Sequence, residues 1–179
     1  MIRLFSTALA FVFAMTFLAG NSAQAAGDKL VIELKTGKVV IQLRPDLAPK
    51  HVERVKTLAS QGFYNGLKWH RVIDGFMAQT GDPTGTGMGG SKLPDLPAEF
   101  SQEPYKRGTV GAARTQDPNS ANSQFFICFT DTGCAGLTGQ YTVWGQVISG
   151  MENVDKIKRG EPGSGMVTDP DTMLKVYVE

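Results

Sequence analysis

Glycine and proline recur along the chain at short intervals, and this limits the length of every regular element. The 179 residues include 21 Gly and 9 Pro, which interrupt strands and helices and favour turns. Between them lie short runs in which apolar and polar residues alternate, the pattern of a strand with one buried face. Lys29 to Leu34 and Lys38 to Leu43, on either side of Lys35-Thr36-Gly37, predict a β-hairpin. The pattern favours an all-β barrel or sandwich over a layered α/β fold.

Further strands follow the hairpin at intervals along the whole chain. They are predicted as two short strands around the Asp74-Gly75 turn within Trp69 to Asp82, then Thr109 to Ala113, Gln124 to Phe129, Tyr141 to Ile148 and Leu174 to Val178. No internal repeat, low-complexity tract or linker divides the chain. Residues 26–179 are therefore expected to form one domain with its own core.

Two helices are predicted among these strands. The first begins near Pro49, where a first-turn proline is tolerated, and ends at Gly62. Its apolar stripe consists of Val52, Val55, Leu58 and Ala59, and His51 is placed on the solvent-exposed face. The second helix is predicted from Met151 to Lys158, closed by Gly160.

The N-terminal residues have the pattern of a secretory leader. Arg3 supplies a positive charge, Ala8 to Ala19 is an apolar run shorter than a bilayer span, and Ala23-Gln24-Ala25 is an A-x-A cleavage signal. An uncleaved membrane anchor is the alternative. Residues 1–25 are predicted to be a cleavable signal peptide, so export to the periplasm is expected, with no stable membrane association after cleavage.

Charge and cysteine content narrow the classes of partner. Arg3 is the one charged residue of the leader, so basic and acidic residues are balanced in the remainder. Nucleic-acid binding is not expected, because it requires a basic excess or stripe. Cys128 and Cys134 would reach an oxidising compartment, where they could form a local disulfide. Alternatively, Cys128 is a small buried apolar residue.

Motifs for most kinds of chemistry are missing. Gly85, Gly87 and Gly90 match G-x-G-x-x-G, but a dinucleotide site requires a helix directly afterwards, and the next residues form a proline-broken loop. Two His and a Cys-x5-Cys pair make no recognisable zinc cluster. His70 is expected to be a hydrogen-bonded structural residue rather than a general base. We predict no metal and no cofactor.

Arg71 is the unusual residue of the Trp69 to Asp82 stretch. Its guanidinium is always charged and offers five donors in a fixed fork, yet Ile73, Phe76 and Met77 beside it are apolar. A cation beside an apolar surface could grip an apolar ligand and polarise one of its atoms. The alternative is a surface arginine whose stem covers the edge of the core.

Three stretches resemble a known family at the spacing typical of it. They are Trp69 to Asp82, Ser123-Gln124-Phe125-Phe126-Ile127 and Gly139-Gln140-Tyr141-Thr142-Val143-Trp144-Gly145. Together they resemble the cyclophilin family of peptidyl-prolyl cis-trans isomerases, with most similarity to its exported bacterial branch. The resemblance covers nearly the whole chain after the leader. It implies an all-β fold, an eight-stranded antiparallel closed barrel capped by two α-helices.

The resemblance also implies roles for individual residues. Arg71 is similar to the catalytic arginine, Gln79 to the glutamine that steadies it, and Phe76 belongs with them at the reacting centre. The implied substrate-binding residues are Met77, Phe126, Leu137 and Tyr141 around the proline, and Gln124, Ala113, Arg114 and Gly87 along the residues before it. The expected partners are proline-containing segments of folding proteins, and a monomer is expected.

Three positions depart from the family pattern. Tyr141 stands where many eukaryotic members have histidine. Arg114 stands where asparagine is common, and its contact with the substrate is expected to be made through the backbone. Gly136 falls about where a ligand-facing tryptophan would be, so cyclosporin binding is expected to be weak at most. A second hypothesis from another class is a holdase chaperone that uses the same groove without turnover.

Overall fold

Eight strands form one antiparallel sheet in this computed structural model, which describes residues 28–179. The predicted leader lies outside the described residues. The strands are β1 (Lys29–Leu34), β2 (Gly37–Leu43), β3 (Arg71–Ile73), β4 (Met77–Thr80), β5 (Thr109–Ala112), β6 (Phe125–Cys128), β7 (Val143–Ser149) and β8 (Lys175–Val178). Their order across the sheet is β3-β4-β6-β5-β7-β2-β1-β8. The eight predicted strands are therefore all present, with ends shifted by one or two residues.

The prediction of a closed barrel is wrong, because the sheet is open and curled. β3 and β8 are its two edges, and in residues 28–179 they do not pair with each other. A loop lies along β3 instead: the Val72 N–H donates to Gly165 O at 2.7 Å, and the Gly160 N–H donates to Val72 O at 2.9 Å. β3 has only three residues and pairs with β4 on one side. On its other side, isolated backbone hydrogen bonds replace a second strand and cover the edge.

The long helix α1 (Pro49–Ser60) begins at the predicted proline and buries the predicted apolar stripe. The placement of His51 on its wet face is wrong, since the side chain is only 3% exposed. Glu99, 48 residues further along the chain, covers this end of the helix, and its Oε2 lies 2.6 Å from His51 Nδ1. Burial lowers the pKa of His51 more than Glu99 raises it.

The remaining α-helices have only four residues each. The four-residue α2 (Asp131–Cys134) continues into a 3₁₀ turn (Ala135–Leu137), and neither was predicted. The four-residue α3 (Met151–Val154) ends well before the predicted Lys158. Among residues 28–179, no helix combines the length and apolar character needed to cross a bilayer.

A disulfide joins Cys128 at the end of β6 to Cys134 in α2. Both residues are fully buried, in a cluster that also contains Met77 and Phe126. Cys128 therefore fits both predicted alternatives, because it forms a disulfide and is also a buried residue of the apolar core. The bridge ties α2, and the 3₁₀ turn after it, to the sheet.

The two faces of the sheet have different roles. On one face, Val72, Ala78, Ile127 and Val110 are neighbours across β3, β4, β6 and β5, and all four are fully buried in the main core. Nearby, Phe125 makes edge-to-face contacts with three aromatic rings at centroid distances of 5.4–6.1 Å. Because side chains alternate along a strand, the residues between them point to the opposite face.

The glycine-rich segment after β4 is wrapped around one buried carboxylate. Asp82 accepts hydrogen bonds from the backbone N–H groups of Thr84, Thr86, Gly87 and Gly89 at 2.6–3.1 Å. Burial alone would raise the pKa of Asp82, but these bonds outweigh it and hold the pKa well below the usual range. The residues directly after this loop form no helix, as predicted for the proline-containing segment.

We expect Asp82→Asn to reduce the free energy of unfolding by about 1.5–3 kcal/mol at pH 7, the contribution of a charge-assisted hydrogen bond. The folded-state pKa of Asp82 is below its unfolded value of about 3.9. Its stabilisation is therefore fully present above that value and is lost as the pH falls towards the folded-state pKa. Urea unfolding should show a larger difference between wild type and variant at pH 7 than at pH 3.

Glu53→Gln is the matched control, because Glu53 is an exposed carboxylate on α1. It should change the unfolding free energy by less than about 0.5 kcal/mol at either pH. Equal stability of wild type and Asp82→Asn at pH 7 would show that the carboxylate does not organise the loop.

Candidate active site

Strand register brings the central residues of the site into one row. Arg71 on β3 is opposite Gln79 on β4, Gln79 is opposite Phe126 on β6, and Phe126 is opposite Gly111 on β5. This row lies on the face of the sheet opposite Val72, Ala78 and Ile127. The site is therefore built from the same strands that form the core.

The Arg71 guanidinium is held from two sides by neutral acceptors. Its Nε donates to Ser164 O at 3.1 Å, and its Nη1 donates to Gln79 Oε1 at 3.3 Å. Within residues 28–179 it forms no ion pair, and its Nη2 makes no hydrogen bond. Arg71 thus keeps its full charge and spare donors beside an apolar cavity.

Gln79 is in turn fixed by a chain of hydrogen bonds. Its Nε2 donates to Gln124 Oε1 at 2.9 Å. The Gln124 Nε2 donates to Gly87 O at 3.0 Å and to Gly89 O at 2.7 Å. Because the N–H groups of the same two glycines bind Asp82, the chain of contacts runs from Asp82 to Arg71.

A cavity of about 190 Å³ opens beside the guanidinium. Six of its nine lining residues are apolar or aromatic, and we call it the apolar cavity. Its lining residues are Arg71, Phe76, Met77, Gln79, Ala113, Arg114, Phe126, Leu137 and Tyr141. Phe126 is only 5% exposed, stacked on Tyr105 and edge-on to Tyr141 at centroid distances of 5.8 and 5.9 Å. Its ring is therefore both part of the smaller core cluster and a wall of the cavity.

Gly111 provides the space that this packing needs. A Cβ added there would collide with the Tyr105 hydroxyl and would lie 2.6 Å from Phe126 Cζ. Any larger residue at this point of β5 would displace the ring that forms the cavity wall.

A polar groove of about 580 Å³ adjoins the apolar cavity. Its lining residues are Gln79, Gly87, Met88, Gly89, Gly90, Ser91, Asp95, Ala113, Arg114, Thr115, Gln116, Ser120, Asn122 and Gln124. The structure thus places every predicted site residue on the wall of one or both of these spaces. The roles of the individual residues stay predictions.

His70 is buried, and burial lowers its pKa more than the nearby Asp82 carboxylate raises it. Its ring nitrogens make no well-aligned hydrogen bond within residues 28–179, but the Lys68 backbone and the Gln124 side chain are close enough to act as weak hydrogen-bond partners, and both raise its pKa. The imidazole is therefore neutral near pH 7 and packed below the glycine-rich loop, 3.6 Å from a Cβ placed at Gly87. Residues 28–179 contain no group of three His, Cys, Asp or Glu side chains arranged to hold a metal ion.

Three contributors to the site were missed in the sequence. Asp82 could have been found, because an Asp followed by Thr and Gly residues is typical of a loop that bonds its own backbone. Ser164 acts through its carbonyl 93 residues after Arg71, and no sequence pattern marks it. Tyr105 lies in a segment without regular structure and was not placed.

The arrangement can bind an apolar ring and direct a charged donor at an atom beside it. Contact of a ligand with the apolar side chains would displace water, and the electrostatic effect of the guanidinium would then be stronger. Among the described residues, no His, Asp or Glu lines the apolar cavity, and His70 is buried below the glycine-rich loop.

Comparisons with known proteins identify the family. Residues 29–178 match the family described as cyclophilin type peptidyl-prolyl cis-trans isomerase/CLD. A probable peptidyl-prolyl cis-trans isomerase of Brucella suis is 53% identical over 192 aligned positions, covering 99% of this chain and 96% of that protein. A peptidyl-prolyl cis-trans isomerase of Helicobacter pylori is 41% identical, covering 73% of this chain and 80% of the relative.

Solved structures show the same fold. A cyclophilin-type isomerase of Cryptosporidium parvum, crystallised in the presence of the dipeptide Ala-Pro, superimposes with a TM-score of 0.77 at 28% identity, covering 84% of this chain and 98% of that one. A cyclophilin from Hirschia baltica has a TM-score of 0.73 at 25% identity, covering 84% of this chain and 73% of its own. The chain therefore belongs to the cyclophilin family of peptidyl-prolyl cis-trans isomerases.

Proposed function

We propose that this isomerase accelerates rotation about X-Pro bonds during the folding of exported proteins, with Arg71 polarising the prolyl nitrogen. The proline ring occupies the apolar cavity, and the preceding residues occupy the polar groove. The observation that carries the proposal is the uncompensated Arg71 guanidinium, held by Gln79 and Ser164 on the rim of the apolar cavity.

The required rate enhancement shows what the site has to supply. The amide barrier is about 18–20 kcal/mol, because the nitrogen lone pair is shared with the carbonyl. A donor aimed at the prolyl nitrogen withdraws that lone pair and stabilises the twisted state. Lowering the barrier by about 7 kcal/mol corresponds to a rate increase of about a hundred-thousandfold. One charge-assisted bond supplies about 1.5–3 kcal/mol, so preorganisation in a partly dry site has to provide the rest.

We expect Arg71→Ala to reduce kcat/KM for a short X-Pro peptide by about a hundred- to a thousandfold, as for loss of a preorganised donor elsewhere. The measurement is exchange NMR of the cis and trans peptide, which needs no coupling protease. Arg71→Lys keeps the charge but loses the planar fork, so its activity should be intermediate.

Lys156→Gln is the control, because it removes one positive charge from a side chain that lines neither the apolar cavity nor the polar groove. Unfolding curves should show that all variants remain folded. Turnover by Arg71→Ala at the wild-type rate would refute the mechanism. If that variant is inactive yet still suppresses aggregation of an unfolded client, a separate holdase activity uses the same groove.

We further propose that cyclosporin inhibits this enzyme weakly because of Gly136. No atom of the described residues would lie within 4 Å of a Cβ added at Gly136. The position therefore faces open space, and no aromatic ring is present there to contact the inhibitor. Gly136→Trp should tighten inhibition by at least about tenfold, because an aromatic side chain adds a large apolar contact at low entropic cost. Gly136→Ala should leave inhibition weak, and nanomolar inhibition of the wild type would contradict the proposal.

Export to the periplasm is the last part of the proposal. It is supported by the charged, apolar and A-x-A segments of residues 1–25, and by the Cys128–Cys134 disulfide, which suits an oxidising compartment. Mass spectrometry of protein recovered from the periplasmic fraction should show an N-terminus at Ala26. Recovery of the intact chain from the cytoplasm would contradict export.

A further inference from the structure

We propose that Arg114 gives this enzyme a preference for an acidic residue immediately before the proline. The inference rests on the proposed function, because it assumes that a peptide occupies both spaces in the order given above. Only Gln79, Ala113 and Arg114 line both the apolar cavity and the polar groove. A chain that passes from one to the other therefore crosses these three residues.

Arg114 is the one charged residue of the three, and its guanidinium is held in a fixed position. Its Cζ lies 4.4 Å from the centroid of the Tyr141 ring. Its Nη1 donates to Thr115 O at 2.8 Å, and its Nη2 donates to Gln140 O at 2.9 Å. Because the ring and the two carbonyls position the group before substrate arrives, binding a carboxylate there costs little side-chain entropy.

Arg114 forms no ion pair with an acidic group in the part of the chain that the structure describes. Arg44, Arg107 and Arg159 each form an ion pair with an aspartate, whereas Arg114 forms none within residues 28–179. Arg71 is also without an ion pair, and no Asp or Glu lines the apolar cavity that the two arginines share. Two uncompensated guanidinium groups therefore make this junction electropositive.

The preference should be confined to the residue next to the proline. Asp95 lines the polar groove, where it accepts a hydrogen bond from Asn122 Nδ2 at 2.8 Å. A substrate carboxylate deeper in this groove would approach Asp95 and be repelled, whereas one at the junction meets Arg114. The expected substrates are thus Glu-Pro and Asp-Pro segments.

The test uses peptides that differ only in the residue before proline, which is Glu, Gln or Lys. Exchange NMR at pH 7.5 and low ionic strength gives kcat/KM for each. For the wild-type enzyme we expect the Glu peptide to exceed the Gln peptide by about three- to tenfold, with the Lys peptide below both. Salt at about 0.5 M should reduce this ratio, because it screens charges in a partly exposed groove.

Variants identify the group responsible for the preference. In Arg114→Gln the ratio of Glu to Gln peptide should fall to about one, and comparison within a variant cancels any general loss of activity. Arg114→Lys should retain part of the preference because it keeps the charge, and Lys156→Gln should retain all of it.

Three results would overturn the inference: equal wild-type rates with the Glu and Gln peptides, a ratio that survives in Arg114→Gln, or a ratio unaffected by salt. Failure of the proposed function would give a distinguishable result, because none of the three peptides would then be isomerised faster than without enzyme. If Arg114→Gln does not fold, the wild-type ratio, its salt dependence and Arg114→Lys still decide the question.

Discussion

The buried carboxylate of Asp82 is the anchor on which the arrangement of the site depends. Four backbone N–H groups of the following loop point at it, which fixes a segment that has no ladder of its own. The carbonyls of Gly87 and Gly89 can then accept from Gln124. Through Gln79 this chain of contacts reaches Arg71. The Arg71 guanidinium is thus held directly by Gln79 and the Ser164 carbonyl, and indirectly by the buried carboxylate of the glycine-rich loop.

The sheet accounts for the rest of the site. Alternation along β3, β4, β6 and β5 directs one set of side chains into the core and the next set into the site. Replacing a core residue such as Ile127 would therefore also disturb its neighbour Phe126, which forms a wall of the apolar cavity. The Cys128–Cys134 bridge extends the same support to the 3₁₀ turn that carries Leu137. Function and stability thus share one framework.

Prediction from the sequence was accurate where a structural signal is local. The strand pairs around Asp74-Gly75 and Lys35-Thr36-Gly37 were found because alternation and turn residues lie within a few positions of each other. The wrong placement of His51 has the opposite cause, since Glu99 covers it from 48 residues away. The open edge at β3 was also missed, because the residues that cover it, Gly160 and Gly165, are about 90 positions away in the chain.

The order of residues alone was enough for the all-β class, the long helix, the apolar stretch around Arg71 and the membership of a family, because these depend on short-range periodicity and on motifs. Folding was required to align Arg71, Gln79 and Phe126, to bring the Ser164 carbonyl to the guanidinium and to leave Arg114 without an acidic partner. Strand register and long-range contacts decide which side chains meet, and neither can be deduced from the spacing of residues along a single strand.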